Sequence, residues 1–263
     1  MNFWPTMQEM LSPEDTGKSA KAAAAGHGDA ALKPLPEDAI AIVPLRNAVL
    51  FPGVMSPVSV GRSSSIAAAQ EAVRGEKRVG FLLQRDPEKN ELTPNDLHWV
   101  GTAGQIVRYI TNEGNHHMVV QGQSRFRVLE FLDSWPFLVA RVAIVESVEE
   151  STPEIEARFL QLKERAVEAI RLLPNVPDEL VGVVQAMTSP ALLADMVANL
   201  VDVKNEEKQV VLESFDVKQR LDKVLAMLSE RVEVLKLSKE IGDKTRKEFD
   251  ERQREHEIGR AHV

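Results

Sequence analysis

The chain reads as an α+β protein, strands first and helices after, on three observations. Between Ala39 and Val145, β-type apolar runs recur with turn signals a few residues apart. At Ser151-Thr152-Pro153-Glu154 the pattern changes, and apolar residues then follow at spacings of three and four. Beyond Leu235 the apolar stripe fades into a charged segment. The expected order is a small closed or nearly closed barrel or sandwich with one helix, then a helical bundle, then a long charged helix.

Residues 1–36 read as a flexible arm. They mix Ser12-Pro13-Glu14-Asp15 with an alanine patch at Ala22–Ala25 and show no sustained period, so they lack the apolar surface to offset ordering. Residues 37–148 form the β-rich region. Its expected strands are Ala39–Leu45, Pro57–Val60, Arg78–Gln84, Gly101–Tyr109, His116–Gln121, Phe126–Leu132 and Phe137–Val145. Proline fixes φ and removes a donor, so Pro44 and Pro52 suit an edge or bend, and Pro52-Gly53 is a strong turn signal. One helix, Ser64–Arg74, is expected to be capped by serines and to close near Gly75. The segment from Thr111 to Asn115 reads as a hairpin loop.

Residues 149–215 read as a helical bundle. Thr152 is a hydroxyl cap, Pro153 suits the first helical position, and Glu154 meets the positive end of the helix dipole. Ile155, Phe159, Leu162, Ala166, Ile170 and Leu173 share a face before Pro174 and Pro177 stop the helix. Further helices are expected at Asp178–Thr188, at Pro190–Val201 with Ser189 as cap, and around Glu206–Glu213. Residues 216–256 form the long helix. Leu221, Leu225, Leu228, Val232 and Leu235 make a packed seam, which shifts to Val234, Leu237 and Ile241 before charge dominates as in a solvated spacer. Residues 257–263, Glu257-Ile258-Gly259-Arg260-Ala261-His262-Val263, match the translation of a common sequencing adaptor and are expected to be non-native.

Composition narrows the function. The 263 residues are 43% hydrophobic and 27% charged, ordinary values for a soluble protein. A formal charge of −8 and a single tyrosine argue against a general nucleic-acid binder, which needs a basic footprint and stacking platforms. No cysteine is present, so disulfides and thiolate metal sites are excluded. No signal-like segment and no apolar run near the ~20 residues of a membrane span occur, so a cytoplasmic location is expected.

The string Ile42-Val43-Pro44-Leu45-Arg46-Asn47-Ala48-Val49-Leu50-Phe51-Pro52-Gly53 resembles the opening of the substrate-binding N-terminal domain of the Lon family of ATP-dependent proteases. The likeness continues in order through Val60-Gly61-Arg62, Gln84-Arg85-Asp86-Pro87, Val100-Gly101-Thr102, Gln121-Gly122, Arg125, Leu193-Ala194-Asp195 and Gln219-Arg220-Leu221. Where the family usually has Glu-Gly, this chain has Gln121-Gly122. The resemblance spans roughly Glu37 to His256. It implies a six-stranded pseudo-barrel with one helix, followed by a bundle ending in a long helix toward an ATPase domain. It also implies homohexamers for full-length members, with this fragment a monomer or weak oligomer. ATP and Mg are implied only for the ATPase domain, so no cofactor is expected in this chain.

Catalytic signatures are missing from the residues. Gly17-Lys18-Ser19 has the end of a phosphate loop, but Ser12 stands where the first glycine belongs. No serine has a lysine three positions on, and no G-x-S-x-G occurs. Histidines 27, 98, 116, 117, 256 and 262 show no metal-ligand spacing. Binding candidates are the apolar side chains Phe51 and Met55 around the Pro52-Gly53 turn, and Leu132, Trp135 and Phe137 around Pro136. The competing role for each is packing the barrel ends, which weighs most for Phe51. Arg62, with Ser63 and Ser64, stands where extended peptide backbone would be met, while Arg46 reads as a satisfied structural arginine. The function expected is the substrate-recognition region of a Lon-type serine protease, binding unfolded or degron-bearing proteins, without ATPase or peptidase of its own. The alternatives are a free-standing Lon-like adaptor and an enzyme of unknown type on a barrel scaffold.

Overall fold

A computed structural model of the chain describes residues 33–112, 114–148, 151–173 and 179–260, the last stretch as backbone only beyond 246. Two compact units divide it: one holds 33–146 with Lys208–Glu213, the other the rest. The arm expected over most of 1–36, and the end of the 257–263 tail, lie outside the described residues.

The first unit is built on six strands: β1 Ala39–Leu45, β2 Met55–Val60, β3 Val79–Leu83, β4 Val100–Asn112, β5 Asn115–Leu132 and β6 Val139–Val145. Helix α1, Ser63–Gly75, lies between β2 and β3. The sheet order is β2-β5-β4-β3-β1-β6, and β6 also pairs β5, so five strands form a hydrogen-bonded ring with β2 attached outside it. β1 and β3 run parallel, the other pairs antiparallel.

Alternation along the strands explains the packing. Ala41, Val43 and Leu45 of β1 face a cluster with Phe81, Met118, Val120, Ala68, Ala69 and Ala72, whereas Ile42 faces a second cluster with Leu82, Phe126 and Val128. Small alanines on one face of α1 let the helix lie close to the sheet.

Two local expectations are corrected. The runs His116–Gln121 and Phe126–Leu132 are one continuous strand, β5, because the residues between them stay paired with β4 through a register shift at Ala103/Gly104. The serines do not cap α1: its N-cap is Arg62, with no side-chain cap bond, and Ser65 is buried. The helix ends at Gly75, as expected, with Glu76 as its C-cap in the left-handed region at φ 49°.

The second unit contains α2 Pro153–Leu172, α3 Glu179–Ala186, α4 Pro190–Leu200 and α6 Val217–Arg260. Between α4 and α6 lies α5, Asn205–Leu212, most of which belongs to the first unit. Thr152 accepts a hydrogen bond from Ile155 N at 3.3 Å and Ser189 one from Leu192 N at 3.1 Å, so both hydroxyl caps form. Leu221, Leu225, Leu228 and Val232 of α6 are buried, with Val224 beside them. Val234, Leu237 and Ile241 are exposed. The buried guanidinium of Arg220 donates to Ser214 O at 3.0 Å and lies 3.6 Å from the Asp195 carboxylate. Among the described residues no helix is long and apolar enough to cross a membrane.

Candidate functional site

The turn after β1 is locked onto β5. Gly53, at φ 75°, donates its N–H to Gly122 O at 2.9 Å, and Gly122 N donates to Val54 O at 2.9 Å. Thr102 Oγ1, fully buried, donates to Leu50 O at 2.5 Å. A Cβ on Gly122 would stand 2.2 Å from Phe51 O, so this approach requires glycine.

That locking separates two of the candidates. Phe51 is completely buried, which gives it the packing role and leaves no surface for a partner. Met55, four residues on, opens β2 and keeps 42% of its surface exposed. Phe137 is buried. Trp135 is half-buried, rests against the cluster under α1, and donates Nε1–H to Lys33 O at 2.8 Å.

Arg62 lies beyond the far end of β2. Its guanidinium donates to Gln84 Oε1 at 2.5 Å, Asn90 O at 3.1 Å and Lys89 O at 3.2 Å. Gln84, itself buried, donates Nε2–H to Lys89 O at 2.7 Å and to Asp86 O. Partial burial, then the nearby Arg46 guanidinium, lower the Arg62 pKa from its ordinary value. Arg46 is exposed and donates to Asn90 Oδ1 at 2.7 Å. Both arginines therefore grip the 84–90 loop. Further along that loop, hydrogen bonds from Lys89 and then Thr93 hold the Asp96 carboxyl down at about 2.

The four candidates do not form one site. Met55 and Arg62 sit seven residues apart along an extended strand, a span of roughly 23 Å. Trp135 belongs to the β5–β6 connection.

The pairing register shows what surrounds Met55. Met55, Pro57 and Ser59 lie opposite Gln121, Val119 and His117 of β5. On β4, Gln105, Arg108 and Ile110 stand opposite the same three residues. Val107 is the extra residue of a bulge between Ile106 and Arg108. Met55, Val107 and Ile110 are all exposed, and the polar residues around them are mostly uncharged: Gln105, Gln121, Gln123, Ser59 and His117. Gln123 Nε2 donates to Gln105 Oε1, and Ser59 Oγ is 2.9 Å from His117 Nδ1. This face carries exposed apolar side chains among polar ones that are mostly uncharged, with Arg108 between Val107 and Ile110.

Sequence reasoning missed Val107 and Ile110. Ile106 and Val107 are adjacent and both apolar, which strict strand alternation does not allow on a single buried face. That conflict is the available signal of a bulge. Among the described residues no group of three His, Asp or Glu side chains is placed to hold a metal.

Comparison with known proteins gives a consistent family. The family model for the ATP-dependent protease La (LON) substrate-binding domain matches residues 39–230. Over 256 residues, 97% of this chain, the sequence is 46% identical to the Lon protease of Methylocella silvestris, and covers 31% of that protein. It is 42% identical over 82% of its length to Lon protease 2 of Myxococcus xanthus, covering 26% of it. The chain thus spans about a third or less of these relatives. In fold, it resembles the N-terminal domain of Mycobacterium avium complex Lon protease, with TM-score 0.61 and 21% identity. That match covers 73% of this chain and 98% of the other. A Lon N-terminal domain protein from Xanthomonas campestris matches with TM-score 0.52 at 19% identity, over 72% of this chain and 97% of the other.

Proposed function

We propose, from the premise that this chain belongs to the LON substrate-binding domain family, that it holds unfolded or degron-bearing proteins for an ATP-dependent Lon-type protease. The observation that carries the reading is the exposed face around Met55, Val107 and Ile110. An unfolded chain differs from a folded one in offering apolar side chains and unpaired backbone together. A receptor for it needs apolar contact without strict shape or charge demands, and a flexible methionine provides that. The mostly uncharged rim, with Arg108 as its cation, imposes little demand on flanking sequence. Weak, sequence-tolerant grip is what a degradation receptor requires, since the substrate must be released into the machine.

ATP hydrolysis and peptide cleavage are assigned to other parts of such a protease. The test places a photo-crosslinking amino acid at Met55 and, separately, at exposed Leu160 on α2, and adds denatured casein. Casein captured from position 55 and not from 160 supports the reading. Casein that remains unbound to the chain, or captured equally from both positions, overturns it. Casein degradation by this polypeptide alone with ATP also overturns it.

A further inference from the structure

Each strand of the ring has two partners, though β4 meets β3 only through Thr102–Gly104, and among the described residues β2 is paired only with β5. Pro57 lies opposite Val119 and has no N–H, so that pair is of the non-hydrogen-bonded antiparallel kind. The bonds to β5 are then made by Ser56, Val58 and Val60. Met55, Pro57 and Ser59 turn their backbone groups away from β5, offering three carbonyls and the N–H groups of Met55 and Ser59. Among the described residues no strand lies on that side. Natural edges are commonly protected by lysine, by a bulge or by cover. This edge carries no charged residue, and Pro57 removes only one of its donors.

We infer that the free edge of β2 takes up an extended segment of an unfolded polypeptide as an added strand, its alternate apolar side chains resting beside Met55 and Pro57. The inference rests on the substrate-binding reading above and says how that substrate is held. Backbone donors and acceptors recognise any sequence, which is the selectivity an unfolded client demands. The adjoining face, mostly uncharged apart from Arg108, accepts Val, Leu or Ile side chains beside Met55 and Pro57. A second copy of this chain fits less well. The six-residue edge is about 20 Å long, so edge-to-edge pairing buries far less than the ~800 Å² per partner of a stable dimer.

The test uses the whole chain and a fluorescein-labelled peptide, Gly-Ser-Thr-Val-Thr-Val-Thr-Val-Ser-Gly. Two further peptides carry N-methyl groups on the valines or on the threonines, so each blocks one edge of the added strand. Strand addition predicts that one methylated peptide binds at least tenfold more weakly than the other. Ser59→Pro removes an outward N–H and keeps the backbone bonds to β5, losing only the Ser59 Oγ contact with His117, and should weaken the unmethylated peptide about tenfold. If Ser59→Pro does not fold, the peptide pair on the unaltered chain still decides. Equal binding of both methylated peptides overturns strand addition, while casein binding at Met55 leaves the substrate reading standing. Loss of casein binding as well overturns both. A dimer in sedimentation that Ser59→Pro dissociates, with no peptide bound, assigns the edge to a second copy and also overturns the inference.

Discussion

Arg125 of β5 donates Nε–H to Leu212 O, the last carbonyl of α5, at 3.0 Å, with the guanidinium buried. A helix C-terminus carries unpaired carbonyls and partial negative charge, so a cation there meets both needs. Beside it Gln209 Nε2 donates to Val100 O at 2.9 Å. These two contacts account for Lys208–Glu213 grouping with the strands and not with the helices around it in sequence. Arg125→Met should lower stability by about 2–3 kcal/mol, the loss expected for a hydrogen bond to a charged donor that leaves its acceptor buried. Urea unfolding followed by circular dichroism measures it, and a change within 0.5 kcal/mol, on the order of surface substitutions, would contradict the assignment.

Gly122→Ala places a methyl group 2.2 Å from Phe51 O, a backbone atom held by the turn. The strand or the turn must shift, at a cost of about 2 kcal/mol or more. The melting temperature should fall, whereas Gly61→Ala, with open space at its Cβ, should leave it nearly unchanged.

Phe51 and Met55 should separate stability from binding. Phe51→Ala empties a fully enclosed site and should cost about 3–5 kcal/mol. Met55→Lys alters an exposed side chain and should change stability by less than about 0.5 kcal/mol. It should nevertheless weaken capture of denatured casein severalfold. Equal casein binding by Met55→Lys and the unaltered chain would count against the candidate face.

Asp96 offers a pH-dependent test. Hydrogen bonds from Lys89, first, and Thr93 hold its folded pKa at about 2, below its ordinary value of 3.8. A depressed carboxylate pKa stabilises the fold above the ordinary value, and that contribution disappears as pH falls from about 4 through about 2. Carbon-detected NMR of the Asp96 carboxyl should give a midpoint near 2. Lys89→Met should move that midpoint up toward 3.8, since it removes the largest cause. An unshifted midpoint in that variant would show that Lys89 is not the group responsible.

Local patterns in the chain were enough to place β1, α2 with its Thr152 cap, α4 with its Ser189 cap, and the apolar seam of α6. Each is set by neighbours within a turn or two: proline at a first helical position, a hydroxyl before it, apolar spacing of two or of three and four. The family resemblance rested on an ordered string of such short pieces, and it carried the fold class.

What only the folded chain decided concerns long-range register. Whether Gly122 is a turn or a point of close approach depends on Phe51, seventy-one residues earlier. Whether Arg62 meets a peptide or braces a loop depends on Gln84 and Asn90. The exposed face of Met55, Val107 and Ile110 exists because β5 carries β2 on one side and the bulged part of β4 on the other. The physical point underneath is that side-chain period specifies a strand, while its neighbours are chosen by burial across the whole sheet. Finding the free side of β2 covered by another strand of this same chain would remove the basis for the binding edge.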